Sequence, residues 1–394
     1  EDNFPESAKV GDVTVPPRAY VDDVKLIADD DVQLRNAGYK ASVALDQLSL
    51  KANLSKTKVI VVGGGKKARI MRDNLRANPV IIQGHEIEVC ESDTYLGVKI
   101  TQAGVADSIR QTFEERKQKA WSKVFAFKKM LRHPAMQRNG FIKSAVALFR
   151  AVIIPTLLGI SAGMVKLVEK TYKKMIYSLL DVPVTTKYFA ILRELGLKQA
   201  RHIISAQKLN FINSIASNGC DSMVVRVLNE DHRVLGSRSI LSEISELSEY
   251  YGLPDIWDNP ILSDTIKAKV DECNSMQLMK GCLLSPVTVN RVNLRPSFLP
   301  YHQWPRSDGR ATLLWRCGAL KFKDNWRKYY KKKNVDSSCP HPLCPAPDSF
   351  EHAIRCLFMN TRLKREEECN NQDERFGRYV VALNRERTAR FCAP

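Results

Sequence analysis

The sequence predicts an α+β chain, mostly α. Three observations carry this. Short apolar or β-branched runs at residues 13–15, 24–27, 59–62, 80–82, 87–89 and 94–98 are confined to the N-terminal quarter. Residues 107–132 then place Ile109, Phe113, Ala120, Val124, Phe127 and Leu131 on one helical stripe. Residues 138–250 continue as successive helices, with breaks expected near Pro155, Pro183 and Gly219.

Residues 12–27 read as strand, turn, strand, with Asp12 on the first arm and Pro16-Pro17 bending the chain. Asp29, Asp30 and Asp31 offer helix N-caps, and negative charge suits a helix start. Leu34, Ala37, Ala41, Ala44, Leu45 and Leu48 then keep helical spacing through residues 32–50. A polar turn at residues 53–58 leads to a strand at 59–62, stopped by Gly63-Gly64-Gly65. Residues 80–82 and 87–89 form a hairpin around Gln83-Gly84, and residues 94–98 form another short strand. Residues 254–310 are rich in Pro, Asn, Ser and Asp and read as a loose bridge. Residues 311–334 are basic and aromatic.

Composition narrows the class. The 394 residues suffice for two or three domains, and 44% hydrophobic content supports a real core. A formal net charge of +18 suggests a polyanionic partner, above all nucleic acid; the plain alternative is a generic basic protein. The ten cysteines have no signal-peptide pattern ahead of them, so a reducing compartment is expected. Residues 146–164 come closest to a membrane span, but Arg150, Pro155 and glycines interrupt them.

Tyr20-Val21-Asp22-Asp23 is the most informative motif. Adjacent acids repel, and a hairpin tip is a poor place to store that repulsion unless a divalent cation is bound. Nucleotidyl transfer uses two metal ions about 4 Å apart to clamp the attacking and leaving oxygens. Hard Mg²⁺ is held by a few carboxylates plus substrate phosphates. The bland alternative is an acidic surface turn. Asp29 and Asp30 lie about 20 Å along the strand from the tip, so they are assigned to capping.

Downstream of the motif come a helix, then Asn53-x-x-Lys56-Thr57, a strand, Tyr95-Leu96-Gly97-Val98 and the basic helix. In this order the chain resembles the reverse transcriptase of a non-LTR (LINE-type) retrotransposon, over roughly residues 1–200. The resemblance implies a partial right-hand polymerase palm over residues 1–102. It implies a helical thumb or connection over 103–218, a helical or irregular linker over 219–310, and a basic segment with a zinc knuckle over 311–394. Asp22 would be the main Mg²⁺ ligand of the hairpin, with Asp23 a second or weaker one. Tyr20 would pack near the primer terminus. Lys56 would neutralise the triphosphate or protonate pyrophosphate, or else be a plain turn lysine. Leu50, Asn53, Lys56 and Thr57 match the next palm motif, where Asn53 is read as a turn cap. Tyr95, Leu96 and Gly97 match the segment that grips the primer end. Arg116, Lys117, Lys123, Lys321, Arg327 and Lys328 are the candidate nucleic-acid contacts, although a basic helix face can also be simply solvated.

The family needs a further Asp from an earlier palm strand, and fingers. Nothing in the residues before Tyr20 resembles them, and Asp12 is a poor substitute. The chain is therefore expected to be a truncated piece, inactive alone. A second reading is a catalytically dead remnant that still binds nucleic acid. A third is an unrelated zinc-stabilised helical interaction protein.

Cys339-x4-Cys344-x7-His352-x3-Cys356 is a candidate structural Zn²⁺ site. Prolines 340, 342, 345 and 347 keep its first half extended. A short helix at residues 349–355 would carry His352 and Cys356 one turn apart. His341 is a substitute candidate for Cys344, and chance clustering is the plain alternative. The family carries a comparable knuckle after the thumb. The implied partners are an RNA template, a DNA primer and chromosomal target DNA, without a membrane. The implied location is intracellular, with a nuclear stage after a cytoplasmic one.

Overall fold

The computed structural model describes residues 8–15, 18–20, 23–95, 97–134, 140–158, 164–217, 222–283 and 306–317. It is mostly helical, with a few short antiparallel strands. Its residues group into two compact units.

The first unit draws on Glu1–Arg116, Ile160–Met164 and Ile204–Val270. Its described residues contain four two-stranded antiparallel ladders. The first pairs β1 (Lys9–Val10) with β2 (Val13–Thr14). The second pairs β3 (Arg18–Tyr20) with β4 (Asp23–Lys25) in the register Arg18↔Lys25, Ala19↔Val24, Tyr20↔Asp23. This corrects the expected hairpin: residues 13–14 pair backwards with β1, and Arg18–Tyr20 is the true partner arm. Two consecutive prolines lack N–H donors, so a laddered strand cannot run from Val15 through them. Asp12 sits in the β1–β2 turn, where its N–H donates to Glu230 Oε1 (3.1 Å).

Of the acids assigned to capping, Asp30 is the N-cap of α1 (Asp31–Gln47) and accepts from the Gln33 N–H at 2.8 Å, whereas the Asp29 carboxylate accepts from the Lys9 N–H at 3.0 Å. The helix lies close against β5 (Val80–Ile82), which pairs with β6 (His85–Ile87) around Gln83 and Gly84, both at positive φ. The core between them holds Val59, Val61, Leu75, Val80, Ile82 and Ile87. Two departures from the sequence expectation sit here. Residues 59–62 form only a single parallel bridge, Val59↔Val89. After the glycines runs an unexpected helix, α2 (Lys66–Ala77), whose Ala68, Met71 and Leu75 face that core.

The predicted strand at 94–98 is instead a hairpin turn. β7 (Ser92–Tyr95) pairs with β8 (Val98–Thr101). Gly97 has φ +76, a left-handed conformation that ends a strand and that glycine adopts without strain. α3 (Val105–Leu131) comes next, close to the expected limits, with Phe113, Ala120, Val124 and Leu131 fully buried.

The second unit draws on Lys117–Gly159, Val165–Ile203 and Asp271–Pro394. It contains α4 (Phe141–Leu148), a π-helical turn (Phe149–Ile153), α5 (Ile154–Leu158), α6 (Val165–Leu180) and α7 (Tyr188–Glu194). No break occurs at Pro155; it lies inside α5, and the wider π turn just before it relieves the missing N–H and the ring clash. The break at Pro183 is real, since α6 stops at Leu180; Gly219 lies outside the described residues. Phe141–Leu158 is long and apolar enough to cross a membrane (mean hydropathy 1.8), yet 44% of it is buried within the fold. Phe149 meets Tyr172 edge-on at 5.0 Å in that core.

α8 (Ala200–Ser217), α9 (Met223–Leu235) and α10 (Ile240–Tyr250) complete the expected helical run. The region 254–310 is not a loose bridge throughout. It holds α11 (Ser263–Leu283), a 21-residue helix with Ile266, Val270, Asn274 and Leu278 buried at four-residue spacing. Its polar composition hid that stripe. α12 (Arg306–Arg316) buries Ala311, Leu313 and Leu314, so the described start of the basic segment belongs to the core.

Candidate nucleic-acid site

The β3–β4 register leaves Val21 and Asp22 between Tyr20 and Asp23. Asp22, and the side chains of Tyr20 and Asp23, lie outside the described residues, as does Leu96. So do Cys339, Cys344, His352, Cys356, Lys321, Arg327 and Lys328. Among the described residues no group of three or more His, Cys, Asp or Glu side chains is placed to share a metal ion.

The described side chains bring two motifs together. Lys25, two residues past the acidic pair, sets its Nζ over the Tyr95 ring at 4.8 Å from the centroid. Burial pushes its ammonium below the ordinary lysine range. The Arg116 guanidinium comes from α3 and donates through Nη2 to the Gly97 carbonyl at 3.4 Å. Burial lowers its pKa as well, and its Nε is buried without a hydrogen-bond partner among the described residues.

α3 holds the β7–β8 hairpin in place. The Lys99 N–H donates to Thr112 Oγ1 (2.8 Å), and Lys99 Nζ pairs with Glu115 (2.9 Å). The Thr101 N–H donates to Ser108 Oγ (3.0 Å), and Thr101 Oγ1 donates to Asp107 (3.0 Å). Serine and threonine at these helix positions accept strand N–H groups that would otherwise be buried unpaired.

The turn carrying Lys56 is self-closed. The Asn53 carbonyl accepts from the Lys56 and Thr57 N–H groups (3.0 Å each) and from Thr57 Oγ1 (2.9 Å). Ser55 Oγ donates to Asn53 Oδ1 (2.8 Å), and Lys56 is exposed. Gln83 ties the segment to α1: it accepts from the Ala52 N–H and donates to Leu50 O and Asp46 Oδ1. The sequence marks Gln83 only as a turn residue; nothing local distinguishes a glutamine that clamps residues more than thirty positions away.

The basic helix face is partly occupied internally. Lys123 Nζ donates to Thr156 Oγ1 (2.8 Å), and Lys128 pairs with Asp181 (3.4 Å). Lys117 is half-buried, and Arg110, Lys119 and Lys129 are exposed. Cys90 and Cys273 are free thiols.

No protein-family model, curated protein or solved structure matches the chain.

Proposed function

We propose that the chain is a nucleic-acid-binding segment of a template-directed polymerase. More narrowly, we read it as part of the RNA-directed DNA polymerase of a non-LTR retrotransposon. In the complete enzyme, Asp22 and Asp23 would hold Mg²⁺ while a primer 3′-hydroxyl attacks a deoxynucleoside triphosphate. Tyr20 would lie by the primer end. Lys56, exposed on its turn, is accessible to the triphosphate charge. The observation that carries the reading is the convergence at β4. The strand that leaves the acidic pair also bears Lys25, and Lys25 lies on Tyr95 of the second motif seventy residues later. Cys339, Cys344, His352 and Cys356 would hold a structural Zn²⁺ that folds the C-terminal segment for strand binding. Location at chromosomal DNA, with an RNA template and a DNA primer, belongs to the same proposal.

The test is primer extension on an RNA template with Mg²⁺, using the longest reading frame that contains this chain. Asp22→Ala is expected to abolish extension there. The 394-residue segment by itself is expected to bind the hybrid without extending it. Full extension by the Asp22→Ala frame would overturn the polymerase reading. Extension by the segment alone would overturn the division of the metal site between this segment and an earlier strand. The net charge of +18 also supports the second reading, a remnant that binds strands without synthesis; a binding-competent frame with no extension would favour it.

A further inference from the structure

We infer that Lys25 and Arg116 form a phosphate-binding pair on the β7–β8 turn, with a phosphodiester of a nucleic-acid strand as the ligand. This rests on the nucleic-acid reading above, but on none of its metal chemistry. Three other half-buried cations of the first unit have a carboxylate partner: Arg35 has Asp31, Lys99 has Glu115, and Lys208 has Glu243; Arg72 instead donates to the Val61 and Gly63 carbonyls. Among the described residues, Lys25 and Arg116 have none. Lys25 meets the face of Tyr95, which offers its three N–H donors no lone pair. Arg116 has one long bond to Gly97 O and a buried Nε–H with no acceptor among those residues. Two desolvated cations on one turn are an unbalanced arrangement, and an anion would balance it.

The surroundings favour a phosphate on a strand. Gly97 is exposed, and a side chain there would meet only the Arg116 guanidinium within 4 Å among the described residues. A hairpin turn can be crossed by a strand but cannot enclose a nucleotide. Arg presents a planar fork to phosphate oxygens and Lys a point charge, a common pairing for one phosphate.

The experiment measures binding of a fluorescent RNA–DNA primer–template by the 394-residue chain, in EDTA, across a salt series. Lys25→Gln and Arg116→Gln are each expected to weaken binding about threefold to tenfold. Each should also lower the slope of log K against log salt by about 0.7–0.9, the loss of one phosphate contact. Lys25→Arg, which keeps the charge, should stay within about twofold of the parent, and melting curves identify any variant that has not folded. Weaker binding with an unchanged slope means a merely structural role and overturns the proposal. So does parent-like binding by both glutamine variants. Inorganic triphosphate is the second probe. If it binds the parent but neither variant, while strand binding is unaffected, the pair takes free phosphate and the strand proposal is overturned. No metal or synthesis enters this assay, so its failure and that of the Asp22→Ala test are read separately.

Discussion

Gly38→Ala tests how α1 is seated on β5. An ideal Cβ at residue 38 would lie 2.6 Å from Val80 Cγ1, with Ile81 O and Ile82 Cγ1 at ordinary contact distances of 3.8 and 3.9 Å. Val80 is only 3% exposed, and its branched side chain on a strand has little rotamer freedom with which to retreat. Overpacking of this kind costs about 1–3 kcal/mol. Replacing glycine by alanine inside a helix gains about 1 kcal/mol. The expected net effect is a loss of about 1 kcal/mol. Val80→Ala alone removes two methyl groups, about 1.6 kcal/mol of transfer free energy plus a cavity contribution. In the double variant the methyl introduced at residue 38 enters the space vacated by Cγ1. The clash is gone and the helix gain is realised, so Gly38→Ala should now stabilise by about 1 kcal/mol. The predicted coupling is therefore about 2 kcal/mol, read by urea unfolding followed by circular dichroism and a double-mutant cycle. If Gly38→Ala is stabilising on its own and adds to Val80→Ala within about 0.5 kcal/mol, the close seating is wrong.

The second unit and the C-terminal segment give two further expectations. His202 is fully buried and hydrogen-bonded to Gln277 (3.1 Å); burial lowers its pKa, and the cations Arg201 and Lys198 lower it further, against Gln277 and Asp271. The unfolded chain then binds the extra proton first, so stability is full above about pH 6.5 and falls as pH drops through that value towards the lower folded pKa. The steepest slope one proton can give is about 1.4 kcal/mol per pH unit, and His202→Gln should flatten it; an unchanged acid limb in urea titrations at several pH values would remove His202 from the account. For the C-terminal cysteines, the purified chain should carry one equivalent of zinc by elemental analysis. Cys339→Ser should lose it, and a chelator should expose residues 339–356 to protease; a metal-free parent with the same protection would leave the set as chance clustering.

Several features were legible in the sequence because they are local. The Asp30 cap of α1 depends on one side chain and an N–H three residues on. The Gln83-Gly84 turn depends on two residues between apolar runs. α3 was readable because its 27 residues sample the helical period many times. The mostly helical class, the net charge and the order of the motifs belong to the same level. What tertiary structure alone decided is non-local. α2 and α11 sit in basic or polar stretches, and their stripes become visible only where Leu75, Ile266 and Val270 find a core to fill. Residues 13–14 chose β1 as their partner because the prolines after them cannot donate to a ladder. Lys25 reaches Tyr95 across seventy residues of chain, and Arg116 finds the Gly97 carbonyl only after α3 has docked. Local propensity says which segments can become helices or turns, but the partner of a cation or a strand depends on which surfaces the whole chain buries together.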